Sequence, residues 1–291
     1  MHDQRFFDQI LNQIEAGAHE LALPLLAGQM FATSLDPVRW PGLRETYRAH
    51  PLHRTMLEDP YVARCFEKPR GYAGDAALID LVYDRQPPDG TTARGQSLFQ
   101  VTIGFPTAEA VRLRRDFAED LVGKAHAAGQ RVLSLACGHF REGDMLKGRS
   151  LDGIVLVDQD PLSLARVRNF HDGAVTCHEA NVFSYLRGAV SRGEQFDLVY
   201  TLGLTDYLDD RAMALLHKMV HAVLAPGGRF ILANFVPHHL ATGWMDAVMD
   251  WHLIYREPAE LAGFAAAAGF SARTWLDPTG SIAWCEMVKA A

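Results

Sequence analysis

From about residue 130 onward, short apolar runs alternate with longer stretches in which apolar positions recur every three or four residues. The runs RVLSL (131–135), IVLV (154–157), VTCH (175–178), DLVYT (197–201) and RFILAN (229–234) have the length and branching of strands. Between them, helical spacing covers 161–170 behind Asp160, then 181–192 and 209–224. A further helix is predicted through Trp251, another over ELAGFAAAAGF, and two last strands near 272–276 and 282–288. Strands separated by helices imply right-handed crossovers. The expected core is therefore α/β, a doubly wound and mostly parallel seven-stranded sheet covered on both faces.

The first hundred residues read differently. Asp36-Pro37 and Asp59-Pro60 look like helix caps followed by proline at the first helical position. Ala77, Leu78, Leu81 and Val82 predict a helix over 73–84, and QPPDGTTARGQ (86–96) is the most loop-like stretch. A long helix begins at Pro106 and is ended by Gly129. The expected organisation is a helical cap or lid over 1–105 and an α/β domain over 106–291, with an insertion near 236–257 that adds to the cap.

Composition narrows the class. The 291 residues are 48% hydrophobic, enough for a sizeable core. Twenty-eight Lys and Arg against 35 Asp and Glu give a net charge of −7, which argues against nucleic acid and anionic membrane as partners. The expected partner is a small-molecule substrate, with a homodimer as the assembly considered. Cys65, Cys137, Cys177 and Cys285 form no C-x-x-C pair, so neither a zinc ribbon nor a disulfide scaffold is expected. That usage, an acidic start and the lack of a membrane-length apolar run point to a cytoplasmic protein.

In open α/β sheets, ligands bind beyond the carboxyl ends of the strands where strand order reverses. The first core strand ends in A-C-G-H-F-R-E (136–142), whose Gly138 allows a tight turn, and a following helix is expected to point its free N–H groups into the crevice. One glycine instead of three disfavours NAD. Asp158 ends the second strand, 20 residues after Gly138, where an acid can hold both ribose hydroxyls. Asn181 opens the helix after strand three, and LAPGG (224–228) forms the turn into strand five.

Together VLSLACG, VLVDQDP, EANVF, FDLVYT and LAPGG resemble the ordered motifs of class I S-adenosylmethionine-dependent methyltransferases. The resemblance implies a Rossmann-like methyltransferase fold with S-adenosylmethionine as cofactor. On it, Ala136, Cys137 and Gly138 cradle the methionyl part and Asp158 holds the ribose. Gln159 and Val182 would flank the adenine, Asn181 would read its edge, and Thr201 would lie beneath the sulfonium. Ser134 stands where many members carry an acid, and His139 where a small residue or proline is common. EKPRGYAGDAALIDLVY (67–83), GLTDYLDD (203–210) and MDWHLIYR (249–256) are similar to a bacterial subgroup assigned to 3-hydroxypalmitate methyl ester biosynthesis, with Thr205 in place of an expected Phe.

The candidate catalytic residues are Arg70, Tyr72, Asp75, Tyr207 and His139. Arg70 would clamp a carboxylate, Tyr72 cover the sulfonium and Asp75 fix an ammonium; the plainer alternative is an Arg-Asp pair stitching the turn to its helix. Tyr207 and Asp206 follow the fourth strand and either orient an acceptor or pack beneath the next helix. Trp251 and Tyr255 read as cap core, while Arg256 shares with Arg70 the reading of an acid clamp. His217 and His221, four apart, lack a third ligand, so no metal is expected and both are placed in solvent. His238 and His239 follow strand five as weaker base candidates, and Arg112, Arg114 and Arg115 read as a solvated helix face.

The first expectation is methylation of a small carboxylate-bearing molecule in secondary or signal metabolism, because a carboxylate acceptor needs no base. An S-adenosylmethionine cyclase of the azetidine-2-carboxylate synthase type, releasing methylthioadenosine, is the second; Thr205, His139 and the Arg70–Asp75 loop suit it. A non-catalytic adenosyl-ligand-binding protein is the third.

Overall fold

A computed structural model describes residues 2–291 except 238, with the side chain of His2 left aside. Its elements are, in order, α1 (His2–Glu15), α2 (His19–Ser34), α3 (Trp40–Ala49), α4 (Pro51–Met56), α5 (Pro60–Glu67), α6 (Ala76–Asp84), α7 (Ala93–Thr102) and α8 (Pro106–Ala127). Then come β1 (Val132–Leu135), β2 (Ile154–Asp158), α9 (Pro161–Phe170), β3 (Thr176–Glu179), α10 (Val182–Arg192), β4 (Phe196–Thr201), α11 (Asp210–Val223) and β5 (Leu224–Phe235). The last are α12 (Thr242–Ala247), α13 (Pro258–Ala267), β6 (Ser271–Leu276) and β7 (Ile282–Val288). Short 3₁₀ segments at Arg141–Leu146 and Thr205–Tyr207 follow β1 and β4.

The chain divides into two compact units. One comprises Met1–Arg112 with Pro237–His252, the other Leu113–Val236 with Leu253–Ala291. In the first, Phe7, Ile10, Ile14, Leu23 and Leu26 are fully or almost fully buried. Gly243 lies so close to α2 that a Cβ there would come 2.4 Å from the Met30 backbone. Asp59 caps α5 through the Tyr61 amide, whereas Asp36 closes a turn onto Val38 and Arg39 and the next helix waits until Trp40. The helix predicted through Trp251 stops at Ala247. Asp250 adopts φ 51°, which no α-helix continues through, and its carboxylate is held by Arg48 and Lys68.

The second unit is built on one sheet, in the order β3-β2-β1-β4-β5-β7-β6, with β7 antiparallel to both neighbours and the other pairings parallel. This is the predicted doubly wound, mostly parallel seven-stranded sheet. Helices start where caps allow: Asp160 for α9, Asn181 for α10 and Asp209 for α11, while Gly193 closes α10 at φ 67°. Because side chains alternate across a strand, Leu133 and Leu135 join the core under α10, α11 and α13, and Ser134 faces the other way. On that core His217 is fully buried, with Nδ1 2.7 Å from the Met213 carbonyl, so it is not the solvated residue expected. LAPGG forms a bulge at the head of β5, since Leu224 pairs with Phe196 and Arg229 with Leu198.

Candidate functional site

Strand order reverses between β1 and β4, so the crevice belongs at their carboxyl ends. The turn leaving β1 has positive φ at Ala136 (55°), Gly138 (54°) and Phe140 (50°). Glycine takes that conformation freely, while alanine and phenylalanine take it only under constraint. The constraint is visible. The Cys137 amide donates to the Val157 carbonyl, the Gly138 amide to Asp158 Oδ2 at 2.8 Å, and the Phe140 ring is buried against Gly143. The expected α-helix after this turn is a six-residue 3₁₀ segment with Glu142 and Asp144 in its first turn. A helix-dipole anion site is thereby replaced by an acidic edge.

Asp158 is 7% exposed, and its second oxygen accepts the Asp160 amide at 2.9 Å. Burial raises its pKa against the pull of those amides. Each oxygen keeps a lone pair for a hydroxyl. Gln159 is exposed beside it and Val182 is buried. Asn181 gives its amide oxygen to Phe183 and Ser184 as the cap of α10. Thr201 ends β4 fully buried, with its hydroxyl lacking any hydrogen-bond partner. Burial pushes the Cys137 thiol well up, and His139 is buried in the same turn.

Beneath the turn lies a polar layer that the sequence reading missed. Tyr200, paired with Ser134 across the strands, donates its hydroxyl to Glu142 Oε1 at 2.7 Å. Arg114, from α8, donates through Nη1 to the Leu202 carbonyl at 2.5 Å, and its Nε is buried without a partner. Arg112 is likewise buried and holds the carbonyls of Val82 and Ile103. These two arginines correct the expected solvated face; Arg115, beside Asp116, is partly exposed.

The loop after β4 is tied down by its own residues. The Thr205 hydroxyl donates to the Ala233 carbonyl at 2.8 Å, so it is not presented to a reacting centre. Asp206 accepts the Phe235 amide at 2.7 Å and receives the Ile254 amide on its carbonyl. Arg256, expected as an acid clamp, is 2% exposed and bonds to the carbonyls of Thr205 and Leu208, to Asn234 and to Asp210. Tyr207 is the loop side chain with 40% exposure, and Tyr255 is half-buried.

The other predicted group lies in the first unit. Asp75 is fully buried, takes a two-point contact from Arg64 at 2.9 and 2.8 Å and caps α6 through the Leu78 amide. The stitching pair exists, but its arginine is Arg64, and the Asp75 carboxylate is committed. Arg70 and Tyr72 are half-buried around Gly71, at φ 86°. Trp251 is buried, His239 is half-buried, and His238 lies outside the described residues. Among the described residues no three His, Cys, Asp or Glu side chains converge as a metal site, and no helix is long and apolar enough to cross a membrane.

No family model and no curated protein matches the chain. Solved structures do. A possible exported protein from Bordetella parapertussis is 18% identical with a TM-score of 0.61, over 95% of this chain and 97% of that one. The magnesium protoporphyrin IX methyltransferase from Synechocystis PCC 6803 with bound SAH is 15% identical, TM-score 0.51, over 80% and 100%. An O-methyltransferase family protein from Burkholderia thailandensis is 16% identical, TM-score 0.50, over 82% and 72%. The fold is that of the Rossmann-like methyltransferases.

Proposed function

We propose that the protein binds S-adenosylmethionine in the crevice between β1 and β4 and methylates a small carboxylate-bearing molecule. The observation that carries this reading is the Asp158–Gly138 contact, which places a buried acid beside a strained turn at the reversal point of a methyltransferase fold. The unpartnered Thr201 hydroxyl in the same crevice is a second sign of fit to a polar ligand.

In this reading Ala136, Cys137 and Gly138 line the methionyl chain and Asp158 takes the ribose hydroxyls. Gln159 and Val182 flank the adenine, and the amide nitrogen of Asn181, whose oxygen is the helix cap, remains for its edge. When bound, S-adenosylmethionine supplies a methyl group activated by a sulfonium. The chain's part is to align an acceptor and keep out water. Asp158, Glu142 and Asp206 are buried acids with Arg114 and Arg256 among them, an environment that tolerates a cation. A carboxylate acceptor fits a crevice whose hydroxyls at Thr205 and Tyr200 are already engaged, because it needs no proton removed. With Thr205 engaged, cyclisation loses one of its supports and stands second.

Mass spectrometry decides between them. The protein is incubated with S-adenosylmethionine alone and then with candidate carboxylic acids. S-adenosylhomocysteine formed only with an acid supports methyl transfer. Methylthioadenosine formed without one establishes cyclisation instead, and binding with neither product reduces the protein to a ligand sensor.

A further inference from the structure

Helix α2 is apolar around its whole circumference, a pattern that belongs to a helix covered on every side. One side is covered: Leu23, Leu26 and Met30 are fully buried within the first unit, with Ala22 and Thr33 beside them. The other side is open. At about 100° per residue, Leu21, Pro24, Leu25, Phe31, Ala32 and Leu35 all fall within about 60° of Gly28 around the helix axis. Leu35, the C-cap, keeps helical backbone angles and so continues the row. Leu21 is 67% exposed, Leu25 51%, Leu35 55% and Val38, in the turn that follows, 87%. No charged residue interrupts the row. Single exposed leucines are ordinary on a protein surface, but a contiguous row of them is not.

Gly28, at the middle of the row, is out of place for the fold alone. Glycine is the poorest helix former after proline. Close approach by a neighbour justifies it elsewhere, as at Gly243, where a Cβ would meet the Met30 backbone. A Cβ on Gly28 would meet nothing within 4 Å among the described residues, and its φ is not positive. Neither packing within the chain nor a special backbone angle calls for the missing side chain.

The row is also symmetric about that glycine. Leu21 and Leu35 each stand seven residues from Gly28, Pro24 and Ala32 four, Leu25 and Phe31 three. A twofold axis beside Gly28 lays Leu21 on the partner's Leu35, Leu25 on the partner's Phe31 and Pro24 on the partner's Ala32. Such a surface is complementary to itself, which is what a closed dimer requires. Leu21, Leu25, Leu35 and Val38 leave on the order of 500 Å² open, and their neighbours bring the row to about 700 Å², close to the roughly 800 Å² per partner that a standard stable interface covers.

We propose that a second copy of this chain occupies the row, α2 packing antiparallel on α2 about a twofold axis beside Gly28. The two helices come closest where the glycines meet, and the leucines at both ends shut water out of the contact.

Sedimentation equilibrium on the full chain should give twice the mass of one chain at micromolar concentration. Gly28→Gln puts a polar side chain on the axis but into open space of its own chain, so it should fold as the parent does. It should raise the dimer dissociation constant about thirtyfold or more, the scale of a central contact residue. Leu215→Gln, at a 44% exposed residue of α11, should leave the dimer as it is. Gly28→Cys should link to itself through a short thiol cross-linker, with the parent and its own four cysteines as the blank. Leu21→Cys should not link to itself, because antiparallel helices hold those residues about 21 Å apart, but should link to Leu35→Cys in a mixture.

A parent that stays monomeric overturns the inference. So does a dimer that Gly28→Gln leaves as tight as before, since another face then holds it. Leu21→Cys linking to itself and not to Leu35→Cys overturns the antiparallel pairing. Where Gly28→Gln folds poorly, the smaller Gly28→Cys decides, and no cross-link above the blank overturns the inference.

Discussion

Asp158 Oδ2 accepts the Gly138 amide at 2.8 Å, so the last residue of β2 holds the turn that leaves β1. One carboxylate therefore shapes the crevice and offers it acceptors. Asp158→Ala leaves the amides of Gly138 and Asp160 without that partner, at a cost of about 1–3 kcal/mol of stability. Asp158→Asn keeps one oxygen and should be milder. Both should weaken S-adenosylhomocysteine and methylthioadenosine alike by about ten- to a hundredfold, because ribose is common to the two. Calorimetry beside a urea melt separates these effects; unchanged affinity in Asp158→Asn removes the ribose assignment.

Stability should fall as pH rises through the range where two buried acids ionise. Burial pushes Asp206 from 3.8 to about 6, against the Phe235 amide and the charges of Arg114 and Arg256. It pushes Asp59 from 3.8 to about 7, against bonds from Thr102, Tyr61 and Val62. Both folded-state values exceed the unfolded one, so the native state binds more protons between pH 3.8 and about 7. Their contribution is thus most favourable at the acid end of that window and is lost on going up. Asp250 works in the other direction: although burial opposes it, Lys68 and Arg48 hold it at about 2. Asp206→Asn and Asp59→Asn isolate the first effect. Melting temperatures should depend less on pH between 4 and 7 than in the parent, and an equally steep slope would count against the shifts.

Arg256 is a structural residue, and replacing it should show in stability before ligand affinity. Lysine at that place cannot reach Thr205, Leu208 and Asn234 together, so Arg256→Lys should lose about 1.5–3 kcal/mol in urea. Methylthioadenosine affinity, measured where the variant is folded, should stay within about twofold. A stable variant with impaired carboxylate affinity would return Arg256 to the list of substrate clamps.

In the first unit, Asp75 and Tyr72 should behave differently. Asp75→Asn breaks the two-point contact with Arg64 and should cost about 1.5–3 kcal/mol, because hydrogen bonds between a half-buried guanidinium and a fully buried carboxylate are lost. Loss of activity in that variant would report on folding alone. Tyr72→Phe and Arg70→Lys test the proposed catalytic part of the loop: turnover should drop while the melting temperature stays near the parent's. If only the melting temperature moves, the loop is a staple.

Strand and helix periods made the sheet readable in advance, and the crevice with it, because Gly138 and Asp158 sit where β1 and β2 end. What escaped was each case in which a side chain turns from solvent to backbone. Arg114 shares the stripe of Val111, Ala118 and Leu121, all buried, and a cation in an apolar stripe was the available signal for it. Glu142 was equally within reach, as an acid four residues beyond the glycine of the turn. The partners of Thr205 and Arg256 were not, since Ala233, Asn234 and Leu208 meet them only after strands four and five have paired. Helix length after β5 failed for a local reason, the left-handed backbone at Asp250.

The order of the sheet also sets a schedule for biosynthesis. β7 lies between β5 and β6 and pairs with Arg229–Phe235 on one side and Ser271–Leu276 on the other, yet it is translated after both. While the ribosome is still working toward Val288, the β5 edge, with Phe230, Ile231 and Leu232, has no neighbour on that side. An unpaired apolar edge is an invitation to other nascent chains. Slow codons between β6 and β7 would lengthen that exposure, and a chaperone that shields strand edges would be needed most at that point in translation.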